Sequence, residues 1–347
     1  MVPVMSLFPI APSFHRSFWT ARSRLFAHVQ TWRVYTLWYP GSIAVAGAGT
    51  AAAGHATVPV GLVAFAWASV TAGWLAAHYL GDFLDRELDA IAKPQRPIPS
   101  GRLSPKEALS AGIVLLVVSV TFAWLATPAA AVIAVAICAG IWSYSALFKS
   151  RGILGNLVRG LLSAFACGLG ATTVTGELAL PGTVLALAAA FLLHDTSTNL
   201  IGAMRDVVGD RSGGYGTVPV RHGLKIAARA AIALYGASAV LVVAVGWHTR
   251  GGPGFWVLGG IALSLGIVVL SGLHRIADQF SPETALRSHS VLVVARLALA
   301  ASPCTLGFPT PLVVAVAVVL SVVTVVTQRV LRQHHEIPAH HCAKGLP

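Results

Sequence analysis

Long apolar runs recur along the whole chain, and most are long enough to cross a lipid bilayer as a helix of about 20 residues. Of the 347 residues, 56% are hydrophobic and only 10% are charged, which is far from the balance of an ordinary soluble domain. Backbone groups in lipid must form their hydrogen bonds within the same segment, and long helices satisfy that requirement. The sequence therefore predicts an all-α, polytopic membrane helical bundle. The predicted spans lie near residues 34–54, 60–82, 105–126, 129–147, 153–175, 179–204, 226–247, 255–272, 288–303 and 310–330. The span near 288–303 is short and carries Arg296, so the expected number of transmembrane helices is nine or ten.

Basic residues concentrate in alternate loops between these spans. The segments 82–106 and 205–229 carry five Lys or Arg residues each, whereas the loops near 55–59 and 176–182 carry none. Lys and Arg are enriched in the cytoplasmic loops of membrane proteins, so the net charge of +12 reflects topology and does not indicate a nucleic-acid partner. We expect an integral, multi-pass protein of a bacterial cell membrane, surrounded by membrane lipid, whose active site faces the cytoplasm.

The chain has only twelve acidic residues, and six of them lie in two short windows at the cytoplasmic ends of predicted spans. Ionised groups beside a membrane are costly to place and usually have a function. In the first window, Asp82, Asp85 and Asp89 follow an i, i+3, i+7 pattern, so on a helix they share one face. Three carboxylates on one face repel each other unless a cation lies between them. Mg²⁺ commonly binds through one or two carboxylates plus substrate phosphates.

Each acidic window is followed by a basic loop that cannot continue the helix. Lys93, Arg96 and Arg102 alternate with three prolines, which stop the helix and stiffen the loop. In the second window, Asp206 and Asp210 are four residues apart, again on one face, and a glycine-rich stretch follows. A rigid basic loop beside a carboxylate face suits a diphosphate bridged by metal ions. One such window could be a solvated helix end with surface ion pairs. That explanation does not fit two acidic windows on the same side of the membrane, each followed by a basic loop.

These windows carry a resemblance to a known family. Residues 81–104 resemble the NDxxDxxxD signature and the following RPIPSG loop of the UbiA superfamily of intramembrane prenyltransferases. Residues 199–223 are similar to that superfamily's DxxxD region, with its GxxT and PVR-like stretch, and residues 144–156 resemble its third cytoplasmic patch. The resemblance runs from about residue 30 to residue 300.

The resemblance implies a bundle around a large central cavity with a polar cap at the cytoplasmic surface. A polyprenyl diphosphate would bind with its tail in the cavity and its head under the cap. The residues that would hold Mg²⁺ ions against the diphosphate are Asp82, Asp85, Asp206 and Asp210, with Asp89 as a helper. Those that would contact or neutralise the head group are Lys93, Arg96, Arg102, Lys149, Arg211 and Asn199. Tyr144 would either steady the allylic carbocation through its ring face or pack in the core.

The chain divides into four predicted parts, and the resemblance marks two departures. We expect a cytoplasmic lead-in over residues 1–30, the UbiA-like transmembrane prenyltransferase domain over 31–303, an extra transmembrane helix over 304–330 and a disordered tail over 331–347. Gly81 lies where the family usually has Asn, and Gly202 lies where relatives often have Asn or Asp. These departures imply weaker metal binding, a rearranged ligand set or a specialised reaction.

The leading functional prediction is Mg²⁺-dependent transfer of a prenyl group from a prenyl diphosphate to a hydrophobic small-molecule acceptor. The acceptor is predicted to be aromatic, quinone-like or a lipid alcohol. The alternative is a membrane terpene cyclase, in which the cation is captured by its own double bonds. An ion-coupled transporter is less favoured, because transporters generally place their coupling acids near the bilayer midplane.

Overall fold

The computed structural model describes residues 21–53, 58–275 and 282–336, and every regular element within these ranges is helical. The helices are α1 (Ala21–Trp32), α2 (Val34–Ala51), α3 (Val60–Leu84), α4 (Arg86–Ala92), α5 (Pro105–Ala126), α6 (Pro128–Ser143), α7 (Ile153–Thr175), α8 (Gly182–Arg205), α9 (Val207–Ser212), α10 (Val218–His222), α11 (Leu224–His248), α12 (Pro253–Arg275), α13 (Pro282–Cys304), α14 (Thr310–Thr327) and α15 (Gln333–Glu336). Short π-helical turns follow α6 and α14. Nine of the described helices are long and apolar enough to cross a membrane, namely α3, α5, α6, α7, α8, α11, α12, α13 and α14. The prediction of an all-α polytopic bundle is confirmed.

A further long helix, α2, runs through the interior of the bundle. It packs against α3, α7 and α13, and most of its side chains are buried. Its contact with α7 depends on small residues, because a Cβ on Gly47 would lie 1.9 Å from the carbonyl oxygen of Cys167. A Cβ on Gly170 would likewise lie 1.7 Å from the carbonyl oxygen of Ala44. Small residues at such interfaces let helix backbones approach closely in membranes, and here they hold the two helices together.

Both acidic windows lie where a long helix gives way to a short one. The break between α3 and α4 is at Asp85, with φ −85° and ψ 0°. The break between α8 and α9 is at Asp206, with nearly the same dihedral angles, φ −90° and ψ 4°. The helical hydrogen bonds continue beyond each break, since the N–H groups of Asp89 and Asp210 donate to the carbonyl oxygens of Asp85 and Asp206, both at 2.8 Å. The acids of each window therefore keep the helical spacing on which the predicted shared face depends.

The basic loop after α4 is fixed at its C-terminal end by a capping box. The Ser104 hydroxyl accepts from the N–H of Glu107 at 3.2 Å, and the Glu107 carboxylate accepts from the N–H of Ser104 at 2.9 Å. Within the loop, Arg102 donates to the carbonyl oxygen of Gln95 at 2.5 Å and to the side chain of Gln30 on α1. Arg102 therefore ties the loop to the N-terminal helix.

The C-terminal segment differs from the prediction. Residues 331–336, the first six of the predicted disordered tail, are helical. Arg332 is 2% exposed and donates to the Ser290 hydroxyl at 2.9 Å and to the Gln328 side chain at 2.6 Å. This buried polar network fixes the segment against α13. Residues 337–347 and most of the predicted lead-in, residues 1–20, lie outside the described residues.

Candidate active site

One cavity of about 590 Å³ brings both acidic windows together. Its wall includes all five aspartates of the predicted metal site, namely Asp82, Asp85, Asp89, Asp206 and Asp210. Apolar residues from α3, α6 and α7 line the cavity farther along these helices, namely Val70, Ile137, Ile141, Leu162 and Ala166. The cavity therefore has a polar end and apolar walls farther along these helices, which suits an amphipathic ligand.

Asp82 and Asp89 are buried and are held by arginines. Arg33 donates to Asp82 Oδ1, and Arg96 Nη1 lies 3.8 Å from the same oxygen. Arg96 also donates to both carboxylate oxygens of Asp89, at 3.0 and 2.8 Å. The Oδ2 atom of Asp82 is buried and has no hydrogen-bond partner among the described residues. An unpaired buried carboxylate oxygen is unfavourable, and it offers a ligand position for a cation.

Asp85 is held by Lys149, which follows the π-helical turn after α6. The Lys149 ammonium donates to Oδ2 of Asp85, and the Tyr215 hydroxyl lies 3.5 Å from the other oxygen. Burial lowers the pKa of Lys149, but Asp85, Tyr144 and Tyr215 together raise that pKa above its ordinary value. The ammonium also lies 5.6 Å from the centroid of the Tyr215 ring. Lys149 is therefore charged and fixed beside the first acidic window.

The second acidic window is joined to the first by Lys93. The Lys93 ammonium donates to Asp206 Oδ1 at 3.0 Å, and Arg205 donates to both oxygens of Asp206 at 3.0 and 2.7 Å. Burial raises the pKa of Asp206, but Arg205 and Lys93 lower it well below its ordinary range. Asp210 accepts from the Thr217 hydroxyl at 3.1 Å. Burial, helped by the charge of Asp206, raises the pKa of Asp210 to about 6.

Glu336 of α15 brings a sixth carboxylate to this polar end. Its Oε2 atom lies 3.3 Å from Lys93 Nζ and from Arg96 Nη2, and 3.6 Å from Arg205 Nη2. Its Oε1 atom accepts from the Tyr35 hydroxyl at 3.4 Å. Burial raises the pKa of Glu336, but the three cations lower it well below its ordinary range. The C-terminal segment therefore places an ionised carboxylate among the cations of the cavity.

The chemistry of these side chains fits magnesium. The candidate ligands are all carboxylate oxygens, the hard donors that Mg²⁺ prefers, and Asp82 contributes the unpaired oxygen described above. In the described ranges, no three His, Cys, Asp or Glu side chains already form a group that could hold an ion. Each aspartate is instead paired with a Lys, Arg or Thr side chain. The Lys and Arg side chains among these partners balance negative charge that metal ions would otherwise balance.

The structure brings most of the predicted residues to the cavity, but not all. Those that line it besides the aspartates are Lys93, Arg96, Tyr144, Lys149 and Asn199. Asn199 accepts a hydrogen bond from the Asn156 amide at 2.6 Å. Arg102 and Arg211 do not line the cavity. Arg102 is engaged by the loop and by α1, and Arg211 is exposed on α9, so neither is placed to contact a head group in the cavity.

Sequence reasoning missed several charged residues that line the cavity. They are Arg33, Arg159, Asp195, Arg205, Arg296, Arg332 and Glu336. A signal was present for Arg159 and Arg296, because ionisable residues inside apolar spans are rare and usually functional. No sequence signal marked Arg33 as a residue of the cavity. It lies between α1 and α2 with φ 47°, a left-handed conformation that is uncommon outside glycine.

A helical membrane bundle whose cavity joins two aspartate-rich helix junctions to an apolar interior defines an intramembrane prenyltransferase. The chain belongs to the UbiA prenyltransferase family, whose sequence model matches residues 42–281. That range contains both acidic windows, so the resemblance seen in the motifs is confirmed.

Several similar curated proteins are named digeranylgeranylglyceryl phosphate synthase. The one from Halobacterium salinarum is 32% identical over 240 residues, which cover 68% of this chain and 84% of that protein. The one from Thermococcus kodakarensis is 29% identical over 268 residues, which cover 77% of this chain and 93% of that protein.

Solved structures of UbiA homologues share the fold. The apo structure of a UbiA homologue from Aeropyrum pernix K1 matches with a TM-score of 0.64 at 18% identity, covering 84% of this chain and 98% of that one. The structure of a UbiA homologue from Archaeoglobus fulgidus bound to DMAPP and Mg²⁺ matches with a TM-score of 0.62 at 15% identity, covering 88% of this chain and 99% of that one. At these identities the likeness establishes the fold alone.

Proposed function

We propose that this prenyltransferase catalyses the Mg²⁺-dependent transfer of a prenyl group from a prenyl diphosphate to a lipid alcohol. The observation that carries the proposal is the cavity's combination of a charged end with apolar walls. Carboxylates and cations from two helix junctions meet at the charged end, and apolar side chains line the walls farther along the helices. A prenyl diphosphate has the same division between an anionic head and an apolar chain.

Each side chain at the polar end has a role in this proposal. Four carboxylates would hold the metal ions, namely those of Asp82, Asp85, Asp206 and Asp210. Bound Mg²⁺ would stabilise the negative charge on the leaving diphosphate. Lys93, Arg96 and Lys149 would supply fixed positive charge to the same oxygens, which is favourable in a site that excludes water.

The reaction itself exchanges one carbon–oxygen bond for another. The bond between the first prenyl carbon and the diphosphate oxygen breaks, and its electron pair leaves with the diphosphate. The acceptor hydroxyl oxygen then bonds to that carbon and passes its proton to water or to the released diphosphate. Tyr144 lines the cavity, and its ring face would stabilise positive charge on the allylic carbon.

The names of the relatives support a lipid acceptor over an aromatic or quinone-like one. Those proteins are named for the synthesis of digeranylgeranylglyceryl phosphate, a lipid, and structures of one solved UbiA homologue, from Archaeoglobus fulgidus, were bound to DMAPP or to GPP with Mg²⁺. We also infer that the polar end of the cavity faces the cytoplasm, because the basic loops cluster there. A bacterial membrane remains a prediction, since the similar curated proteins are archaeal.

The test is a product screen with the purified full chain in detergent or liposomes. Prenyl diphosphates of several lengths are incubated with Mg²⁺, first alone and then with glyceryl ether lipids, hydroxyaryl compounds or quinone precursors. Mass spectrometry should detect a prenylated lipid and a matching amount of released diphosphate. A hydrocarbon formed without any acceptor would replace the proposal with a terpene cyclase, and a prenylated aromatic product would replace the lipid acceptor.

A further inference from the structure

A second polar cluster lies within the helices, away from both acidic windows. Asp195 of α8 accepts from the Tyr39 hydroxyl at 3.0 Å and from the Ser163 hydroxyl, and Arg159 Nη1 lies 3.7 Å from its Oδ2 atom. The stretch of α8 from Asp195 to Asp206 corresponds to about 16 Å at 1.5 Å per residue. Asp195 and Arg159 nevertheless line the same cavity as the acidic windows.

Arg296 of α13 belongs to this cluster and is poorly satisfied. It is 5% exposed, and its guanidinium carbon lies 4.5 Å from the centroid of the Tyr39 ring. Its Nε and Nη2 atoms are buried and have no hydrogen-bond partner within the described part of the chain. Burying guanidinium donors without partners is unfavourable. The residue lines the cavity, so a ligand in the cavity could supply the missing acceptor.

The charges of the cluster do not balance. Arg159 and Arg296 share one nearby carboxylate, that of Asp195, and it already accepts from two hydroxyl groups. Arg159 lies 3.7 Å from this carboxylate, which is beyond hydrogen-bond distance, and over the Trp74 ring at 4.2 Å. Both guanidinium groups therefore have a ring face against one side and donors left for an anion.

We propose that Arg159 and Arg296 bind an anionic group, a phosphate or a carboxylate, of the acceptor substrate. This inference rests on the prenyl transfer proposed above, because the acceptor must enter the same cavity as the donor. A guanidinium fork matches the oxygens of either anion. The separation of about 16 Å along α8 leaves room between the two anions for the reacting carbon and the acceptor hydroxyl. It also keeps the acceptor anion away from the diphosphate, so the two like charges do not share a site.

The experiment compares acceptors that differ only in their charge. One pair is a glyceryl ether lipid monophosphate and its dephosphorylated alcohol, and the other is a hydroxyaryl carboxylate and its methyl ester. Calorimetry on the purified full chain measures the binding of each compound without donor. The wild type should bind the anionic member of one pair at least about tenfold more tightly, as expected for charge-assisted hydrogen bonds. The pair that shows the preference identifies the anion.

Variants then assign that preference to the two arginines. Arg296→Gln and Arg159→Gln should lose it, while their affinity for the neutral member changes less than twofold. Arg296→Lys, which keeps the charge, should retain part of it. Arg229→Gln removes an exposed arginine on α11 and should bind all four compounds as the wild type does.

Each outcome either supports or overturns the proposed anion site at Arg159 and Arg296. No preference for an anion in either pair overturns the proposal, and so does a preference that survives in both Gln variants. Equal loss of both members of a pair would show that Arg296 only packs α13 against α2. If the anion preference depends on the two arginines but no prenyl diphosphate is turned over, the site stands and the proposed function fails. If prenyl transfer proceeds with neutral and anionic acceptors alike, the site fails and the proposed function stands.

Discussion

Neutralising Glu336 is expected to tighten the binding of the prenyl diphosphate. Its carboxylate lies 3.3 Å from the side-chain nitrogens of Lys93 and Arg96 and 3.6 Å from that of Arg205. Because these cations keep the pKa of Glu336 well below its ordinary range despite burial, the residue is ionised at neutral pH. It therefore competes with diphosphate oxygens for the same donors. Glu336→Gln keeps the shape of the side chain and removes the charge.

The size of this effect follows from the hydrogen bonds that the diphosphate must displace. At an effective dielectric constant of about 20, one charge pair at 3.3 Å has a Coulomb energy of about 5 kcal/mol, but desolvation offsets most of it. Hydrogen bonds to charged groups contribute about 1.5–3 kcal/mol, compared with about 1 kcal/mol for neutral ones. The substitution should therefore remove roughly 1–2 kcal/mol of competition, which corresponds to a donor Kd about 5- to 30-fold lower.

The assay is equilibrium binding of a non-hydrolysable prenyl thiodiphosphate in the presence of Mg²⁺. The matched control is Glu87→Gln, because the side chain of Glu87 is 86% exposed and pairs with Arg86 at 3.2 Å. The control should bind the analogue as the wild type does. Unchanged or weaker binding by Glu336→Gln would refute the reasoning and show that Glu336 orients the cations for the substrate.

The remaining predictions concern the metal and the packing. Asp82→Ala and Asp206→Ala should each abolish Mg²⁺-dependent diphosphate release while circular dichroism stays unchanged, because each would remove a proposed metal ligand; near-full activity in both variants would contradict the site. Chelation with EDTA should stop diphosphate release and added Mg²⁺ should restore it, and release that continues in EDTA would exclude a divalent ion. Gly81→Asn should fold normally and lower the Mg²⁺ concentration needed for half-maximal activity, since a Cβ there meets nothing within 4 Å; an unchanged Mg²⁺ titration would refute this. Gly170→Ala should destabilise the protein by at least about 1–3 kcal/mol, because its Cβ would lie 1.7 Å from the Ala44 carbonyl oxygen; equal thermal melting of this variant and the wild type would contradict the close packing.

The fold and the acidic windows were predictable because both depend on local sequence. Hydropathy sets the spans, and helical spacing sets the face that each aspartate shares with its neighbours. The basic residues were harder to assign, since Arg96 and Arg102 lie in one loop but only Arg96 lines the cavity. Which of them faces the cavity depends on contacts with α1, far away in sequence.

Glu336 could not have been predicted from the sequence at all. It follows a histidine-containing stretch in a polar terminal segment, and such a composition is typical of a disordered tail. Its position depends on cations contributed by Lys93, Arg96 and Arg205, which lie more than a hundred residues away. Long-range electrostatic partners of this kind leave no local pattern in a chain.

The two glycines that depart from the family pattern lie at equivalent places in the two windows. Gly81 accepts the N–H of Asp85 at 2.8 Å, and Gly202 accepts that of Asp206 at 3.1 Å, so each lies one turn before a helix junction. Both line the cavity, and a Cβ at either position would meet no atom of the described residues within 4 Å. Open space at both glycines therefore adds to the polar end of the cavity, and the carboxylate of Glu336 lies at the same end.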